Sequence, residues 1–175
     1  SKRGGTLVIK DDGVGMSETT IRSSWMRIST NAKAEEPSSP IYGRRRAGRK
    51  GIGRFSTQRL GESLTLESYP RGSNEGFRVQ FDWDQDFGAG TDLNDVFSSL
   101  SRFPKDSSIT GTSLTINQLR DIYSAASLER IWRSVVLLQS PHKVAPVHGR
   151  VSDPGFQVLI NGITRDVKSK QLSIE

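Results

Sequence analysis

Apolar and polar positions alternate in blocks along this chain, and the blocks predict strands and helices in mixed order. Thr6-Leu7-Val8-Ile9-Lys10 is a short β-branched and aliphatic run that reads as a buried strand, broken at once by Asp11-Asp12-Gly13-Val14-Gly15-Met16. Ser17 to Thr30 places Ile21, Trp25 and Ile28 on one face and predicts a helix. Residues 31–48, with Pro37-Ser38-Ser39-Pro40 and Gly43, cannot hold regular structure and read as a mobile loop. Phe55 to Leu60 is a short helical pattern ended by Gly61. Ser63 to Tyr69 and Glu75 to Trp83 form a strand pair around Pro70-Arg71-Gly72-Ser73-Asn74, with Phe77, Val79, Phe81 and Trp83 alternating inward. Leu93, Val96, Phe97 and Leu100 have helical spacing, and Gly111 to Asn117 is another strand. Leu128, Ile131, Trp132, Val135 and Leu138 give a longer helix that stops before Pro141. Strands paired in sequence with helices between them predict an α+β fold, a two-layer α/β sandwich whose mostly antiparallel mixed sheet carries its helices on one face. The three tryptophans, Trp25, Trp83 and Trp132, sit at core spacing and read as packing residues.

Past Ser140 the texture changes. Pro141-His142-Lys143-Val144-Ala145-Pro146-Val147-His148-Gly149 reads as a linker and Phe156 to Ile160 as a fresh strand, so the chain divides into a domain over 1–140 and a further segment over 141–175. The chain has 175 residues, enough for one domain and the beginning of another. No cysteine is present, which excludes a disulfide framework and cysteine-based metal or thiol chemistry. The two histidines have no nearby carboxylate except Asp153, a poor donor set for a metal. No apolar run approaches about 18 residues, so neither a transmembrane helix nor a membrane partner is expected and the chain reads as cytoplasmic. The formal net charge is +6, and Arg44, Arg45, Arg46, Arg49, Lys50 and Arg54 supply six cations with no acid among them. The rest of the chain is close to neutral.

Two glycine clusters carry the candidate chemistry. Asp11 stands at the end of the first strand, where an ionised carboxylate can accept a hydrogen bond from an exocyclic amino group such as adenine's. Gly13 and Gly15 leave room for a flat ligand against the backbone, and Met16 can cover a ring face with polarisable sulfur. The same hexapeptide also reads as a plain strand-to-helix turn with Ser17 as N-cap. The second cluster, Gly48-Arg49-Lys50-Gly51-Ile52-Gly53-Arg54-Phe55-Ser56, frees successive backbone amides just before a helix, which suits an anion such as phosphate. It is not a P-loop, since Gly48 is followed by Arg49-Lys50-Gly51, nor a dinucleotide fingerprint, since Glu18 stands three residues after Gly15.

These residues together resemble the GHKL superfamily, the Bergerat-fold ATPases that include gyrase, the heat-shock chaperone, sensor histidine kinases and the mismatch-repair MutL proteins. Asp11 through Met16 resembles the DxGxG box, Gly48 through Phe55 the second glycine box bordering the lid, and Gly111-Thr112-Ser113-Leu114-Thr115-Ile116 the closing Gly-Thr strand. Trp25 through Lys33 resembles the approach to the lid in chaperone-like and MutL-like members. The likeness covers roughly residues 6 to 117, and three boxes in order around a basic lid give it specificity.

The resemblance implies binding of ATP with Mg2+, and slow hydrolysis coupled to lid closure. It implies that Asp11 reads the adenine amino group with Thr112 in support, and that Gly13, Gly15 and Met16 line the base. It further implies that Gly51, Ile52, Gly53, Arg54 and Phe55 hold the phosphates through backbone amides, with Lys33 and Lys50 as cationic partners. Solvated lid cations are the plain alternative for the two lysines. The family's general base and magnesium ligand lie on a helix expected upstream of Ser1, so this stretch alone is expected to bind ATP without turning it over. Homodimerisation through the intact ATPase domain, a DNA or protein client, and a transducer-like domain beginning after 141 also fit the resemblance. A histidine-kinase-type catalytic domain shares the first two boxes. A basic nucleic-acid-binding module accounts for Arg44 to Lys50 but leaves the Asp11 box unexplained, and a scaffold that has lost ATP binding sits poorly with an intact Asp11.

Overall fold

The two strongest alternating stretches pair as the sequence predicts, and the remaining strands assemble around them. The computed structural model describes residues 4–25, 38–39, 41–44, 56–86, 100–136, 158, 163–165 and 172–174. Strand β1 spans Leu7–Asp11 and is followed by helix α1 (Glu18–Thr20), which continues into a wide π-helical turn over Ile21–Trp25. Helix α2 (Ser56–Leu60) runs directly into β2 (Gly61–Tyr69), and β3 (Glu75–Asp82) ends in the short helix α3 (Trp83–Asp86). Then come β4 (Leu100–Pro104), β5 (Gly111–Leu119) and helix α4 (Ala125–Val136), and finally the small strands β6 (Ile163–Arg165) and β7 (Leu172–Ile174).

Strands β1 to β5 form one antiparallel sheet in the order β1-β5-β2-β3-β4. Because side chains alternate across a strand, its register sorts them into two faces. Leu64, Leu66 and Ser68 of β2 stand beside Ile116, Leu114 and Thr112 of β5 on one side, and beside Phe81, Val79 and Phe77 of β3 on the other. Leu64, Leu66, Val79 and Ile116 are fully buried there, and each such side chain contributes about 1.5–3 kcal/mol of transfer free energy. Ile21, from the π-helical turn, is also fully buried. The inward phase predicted for Phe77, Val79, Phe81 and Trp83 holds, and the Phe81 and Trp83 rings stack with centroids 5.5 Å apart. The opposite face carries Glu67, Arg78 and Gln80 and is far more open. A five-stranded antiparallel sheet buried on one face, with a few short helices, is the α+β two-layer sandwich expected.

Two local readings change, and a third gains detail. Thr6 to Lys10 is a strand but not a buried one: Val8 and Ile9 are 48% and 49% exposed, because β1 lies at the sheet's edge and pairs only with β5 among the described strands. Leu100 begins strand β4 instead of ending a helix, since pairing with Val79 of β3 overrides its helical spacing, and residues 87–99 lie outside the described set. Within the stretch expected to be loop, Ser39 and Arg44 exchange two hydrogen bonds (2.7 and 3.0 Å), and the Arg44 guanidinium lies over the Tyr42 ring. The strand expected at 156–160 falls outside the described residues apart from Val158.

The chain clusters into two compact units. The first holds β1 to β5 with α1, α2 and α3; the second holds the Ser38–Arg44 turn, α4 and the β6–β7 hairpin. Among the described residues no helix is long and apolar enough to cross a membrane.

Candidate functional site

The antiparallel register sets Asp11, the last residue of β1, directly opposite Thr112, the second residue of β5, and Thr112 opposite Ser68 of β2. Asp11, Thr112 and Ser68 therefore form one row across three strands on the sheet's buried face, running from an exposed carboxylate through a half-buried hydroxyl to a fully buried one. Two residues just over 100 positions apart in sequence are thus neighbours in space.

The loop after Asp11 is shaped by its own first side chain. Asp11 Oδ1 accepts the Gly13 amide at 2.9 Å, an Asx-type turn that reverses the chain at the strand's end. Among the described residues the Gly13 amide is the hydrogen-bond donor to this carboxylate, and it meets Oδ1. Gly15 has φ +67°, and a Cβ there would run into the Tyr69 carbonyl oxygen and lie 2.8 Å from the Pro70 nitrogen. The side on which a Cβ would stand is therefore filled by the β2–β3 turn. Arg71 donates its backbone N–H to the Val14 carbonyl at 2.9 Å, and the Met16 amide donates to Ser68 Oγ at 2.6 Å. Ser17 then caps α1, its side chain accepting the Thr20 amide at 3.2 Å, so the strand-to-helix reading of this segment also holds.

Gly111 opens β5 at φ +119°, a conformation close to glycine's alone, and a Cβ there would collide with the Asp11 carbonyl oxygen. Its bare backbone is what allows β5 to approach the end of β1 so closely. Behind the loop, Glu18 accepts from Arg22 (2.9 Å) and from Arg102 of β4 (2.6 Å), tying α1 to the far edge of the sheet. The Arg22 and Arg102 guanidiniums hold the Glu18 carboxyl below the usual glutamate range. On the open face, Glu67 accepts from Arg78 at 2.7 Å and from the Tyr69 hydroxyl at 3.0 Å, and Tyr69 meets Phe103 edge-on. Burial, with the Glu67 bond second, pushes the Tyr69 phenol up.

Of the site residues named from the sequence, the structure brings Asp11, Gly13, Gly15, Met16 and Thr112 together at one end of the sheet. Lys33, Lys50, Gly51, Ile52, Gly53, Arg54 and Phe55 lie outside the described residues. Ser68, the support from Tyr69 to Arg71, and the Glu18–Arg102 pair were missed. Ser68 had a signal: a hydroxyl at the inward phase of a strand whose other inward residues are leucines. Among the described residues no group of three carboxylates or histidines could hold a metal ion, so the described residues alone offer no Mg2+ cage. A shallow open depression on α4, lined by Ser127, Arg130, Ile131, Ser134 and Val135, shares no residue with the Asp11 loop.

The arrangement offers one acceptor carboxylate on a hydrogen-bonded loop, beside a hydroxyl and two glycines, at an accessible sheet end. Such a carboxylate can accept from a group with hydrogen-bond donors. No curated protein matches the chain. Residues 1–109 match a family model described as Histidine kinase-, DNA gyrase B-, and HSP90-like ATPase, a match that takes in β1, the Asp11 loop and strands β2 to β4. With more than half of its length so matched, the chain belongs to the histidine kinase-, DNA gyrase B- and HSP90-like ATPase family.

Proposed function

We propose that this chain is the ATP-binding part of an ATPase in which slow hydrolysis is coupled to closure of a lid. The observation that carries the reading is the Asp11–Thr112 register, which sets a carboxylate acceptor and a hydroxyl side by side at the mouth of the loop. Asp11 Oδ2 accepts the adenine amino group, and Thr112 supports it through a shared water. Gly13 and Met16 border the base, with Gly15 holding the loop's shape. Gly51, Gly53 and the amides through Phe55 receive the phosphates, with Lys33 and Lys50 as compact cations beside them. Bound ATP with Mg2+ supplies the phosphoanhydride that is cleaved; the residues of this chain bind and orient it. The resemblance of the Trp25 to Lys33 stretch supports a reading on the chaperone-like or MutL-like side of the family, with a proposed ATP-binding domain reaching residue 140 and a transducer-like segment after it.

The test is calorimetric. The chain should bind ATP and ADP and discriminate against GTP, because guanine presents a carbonyl acceptor where adenine presents a donor. Asp11→Asn can keep the Gly13 bond through its carbonyl oxygen but turns an NH2 donor towards the base, so it should lose nucleotide while unfolding at the same temperature. Equal affinity for ATP and GTP refutes the assignment of Asp11.

A further inference from the structure

Ser68 is fully buried, on a strand whose other inward positions near it are Leu64 and Leu66. A buried hydroxyl is tolerated only with partners, and both of its partners belong to one residue of the Asp11 loop. The Met16 amide donates to Oγ at 2.6 Å, and the Ser68 hydroxyl donates to the Met16 carbonyl oxygen at 3.0 Å. One side chain thus satisfies both main-chain groups of a residue 52 positions away. Met16 stands between Gly15, seated against Tyr69 and Pro70, and Ser17, which starts α1. The bond from Arg71 to Val14 extends the same attachment by two residues. Ser68 is also the register partner of Thr112, itself the partner of Asp11. The residue that anchors the loop and the two that would read the base therefore share one row of the sheet.

We propose that Ser68 is a positioning residue for the nucleotide base: by holding the Met16 peptide at both ends it fixes the loop in its binding shape before any ligand arrives. Ser68 touches no ligand itself and acts through Met16. This inference rests on the ATP-binding reading. Its physical content is preorganisation, since a loop already held in place loses less conformational freedom when the base binds. Removing the hydroxyl leaves an amide and a carbonyl of Met16 to find water instead, and the loop that borders the base loosens, with no residue changed in the Gly48 to Phe55 stretch.

The experiment uses the full chain with Ser68→Ala and Ser68→Thr, titrated with ATP and separately with inorganic tripolyphosphate, with hydrogen exchange read at the Met16 amide. Ser68→Ala should weaken ATP at least about tenfold, leave tripolyphosphate affinity within about twofold, and speed Met16 exchange. Ser68→Thr keeps the hydroxyl and should return ATP affinity to within about threefold of the unaltered chain. A merely structural role would lower the unfolding temperature without separating ATP from tripolyphosphate. The proposal is overturned if Ser68→Ala binds ATP normally, if both ligands weaken in proportion, or if Met16 exchange is unchanged. ATP binding by the unaltered chain that Asp11→Asn abolishes keeps the ATP reading standing whatever Ser68 does. An unaltered chain that fails to bind ATP overturns that reading and the positioning role with it.

Discussion

Gly15→Ala separates two reasons for a glycine in this loop: room for a ligand, or room for the protein's own backbone. The structure favours the second, because a Cβ at Gly15 meets the Tyr69 carbonyl and the Pro70 nitrogen. Alanine held at φ +67° costs about 1–2 kcal/mol in local strain. Forcing a methyl against backbone that Ser68 and Arg71 hold in place adds about 1–3 kcal/mol of overpacking. The lower entropy of the unfolded alanine chain offsets about 0.4–1 kcal/mol of this. The net loss is about 2–4 kcal/mol, which for a chain of this size lowers the unfolding temperature by roughly 5–15 °C. Thermal and urea unfolding without nucleotide measure it directly. If Gly15→Ala unfolds within about 0.5 kcal/mol of the unaltered protein yet loses ATP, the glycine serves the ligand and the packing argument fails.

Two further outcomes follow from the sheet and its charges. Leu66→Ala, at the fully buried centre of β2, should cost about 2–5 kcal/mol in urea unfolding, and a loss below about 1 kcal/mol would mean that the core face is less tightly filled than its burial indicates. Glu18 has its carboxyl pKa lowered from 4.5 by Arg22 and then Arg102, so its contribution to stability is present above about pH 4.5 and is lost as the pH falls through the depressed folded value. The stability gap between the unaltered protein and Glu18→Gln should therefore be flat near neutrality and narrow under acid; a gap that widens as pH falls contradicts the pairing.

The hairpin from Gly61 to Asp82 was legible because Leu64, Leu66, Phe77, Val79 and Phe81 alternate strictly around a Pro-Arg-Gly-Ser-Asn turn, and period two has one structural meaning. The Gly111 strand and the helix containing Leu128 and Trp132 were legible for similar reasons. Strand β4 was not, because Leu100 continues a helical spacing and only the presence of β3 beside it decides otherwise. Nor could the run at Leu7 to Lys10 reveal that its strand lies at an edge, since exposure there depends on strand order and not on local residues. In the candidate site the same division holds. Asp11, Gly15 and Thr112 stand in recognisable boxes, whereas Ser68 acquires its role only when β2 brings it to Met16.

The strand order also dictates when the site can exist during synthesis. Strand β1 emerges first, yet β5 alone among the described strands pairs with it, and the bond from Thr6 to Asn117 at their far end joins residues 111 positions apart. The β2–β3 hairpin closes a short loop and can form early, whereas the pairing of β1 with β5 must wait for the chain to reach Leu119. At about 5–20 residues per second that wait lasts several seconds on the ribosome. Through it Leu7, Val8 and Ile9 have no sheet partner among these strands, and Asp11 has no Thr112 beside it. A ribosome stalled short of β5 would hold a nascent chain with its first box exposed and no pocket. On the proposed reading of Asp11 and Thr112, capture of nucleotide comes late in this domain's folding, after the β2–β3 hairpin.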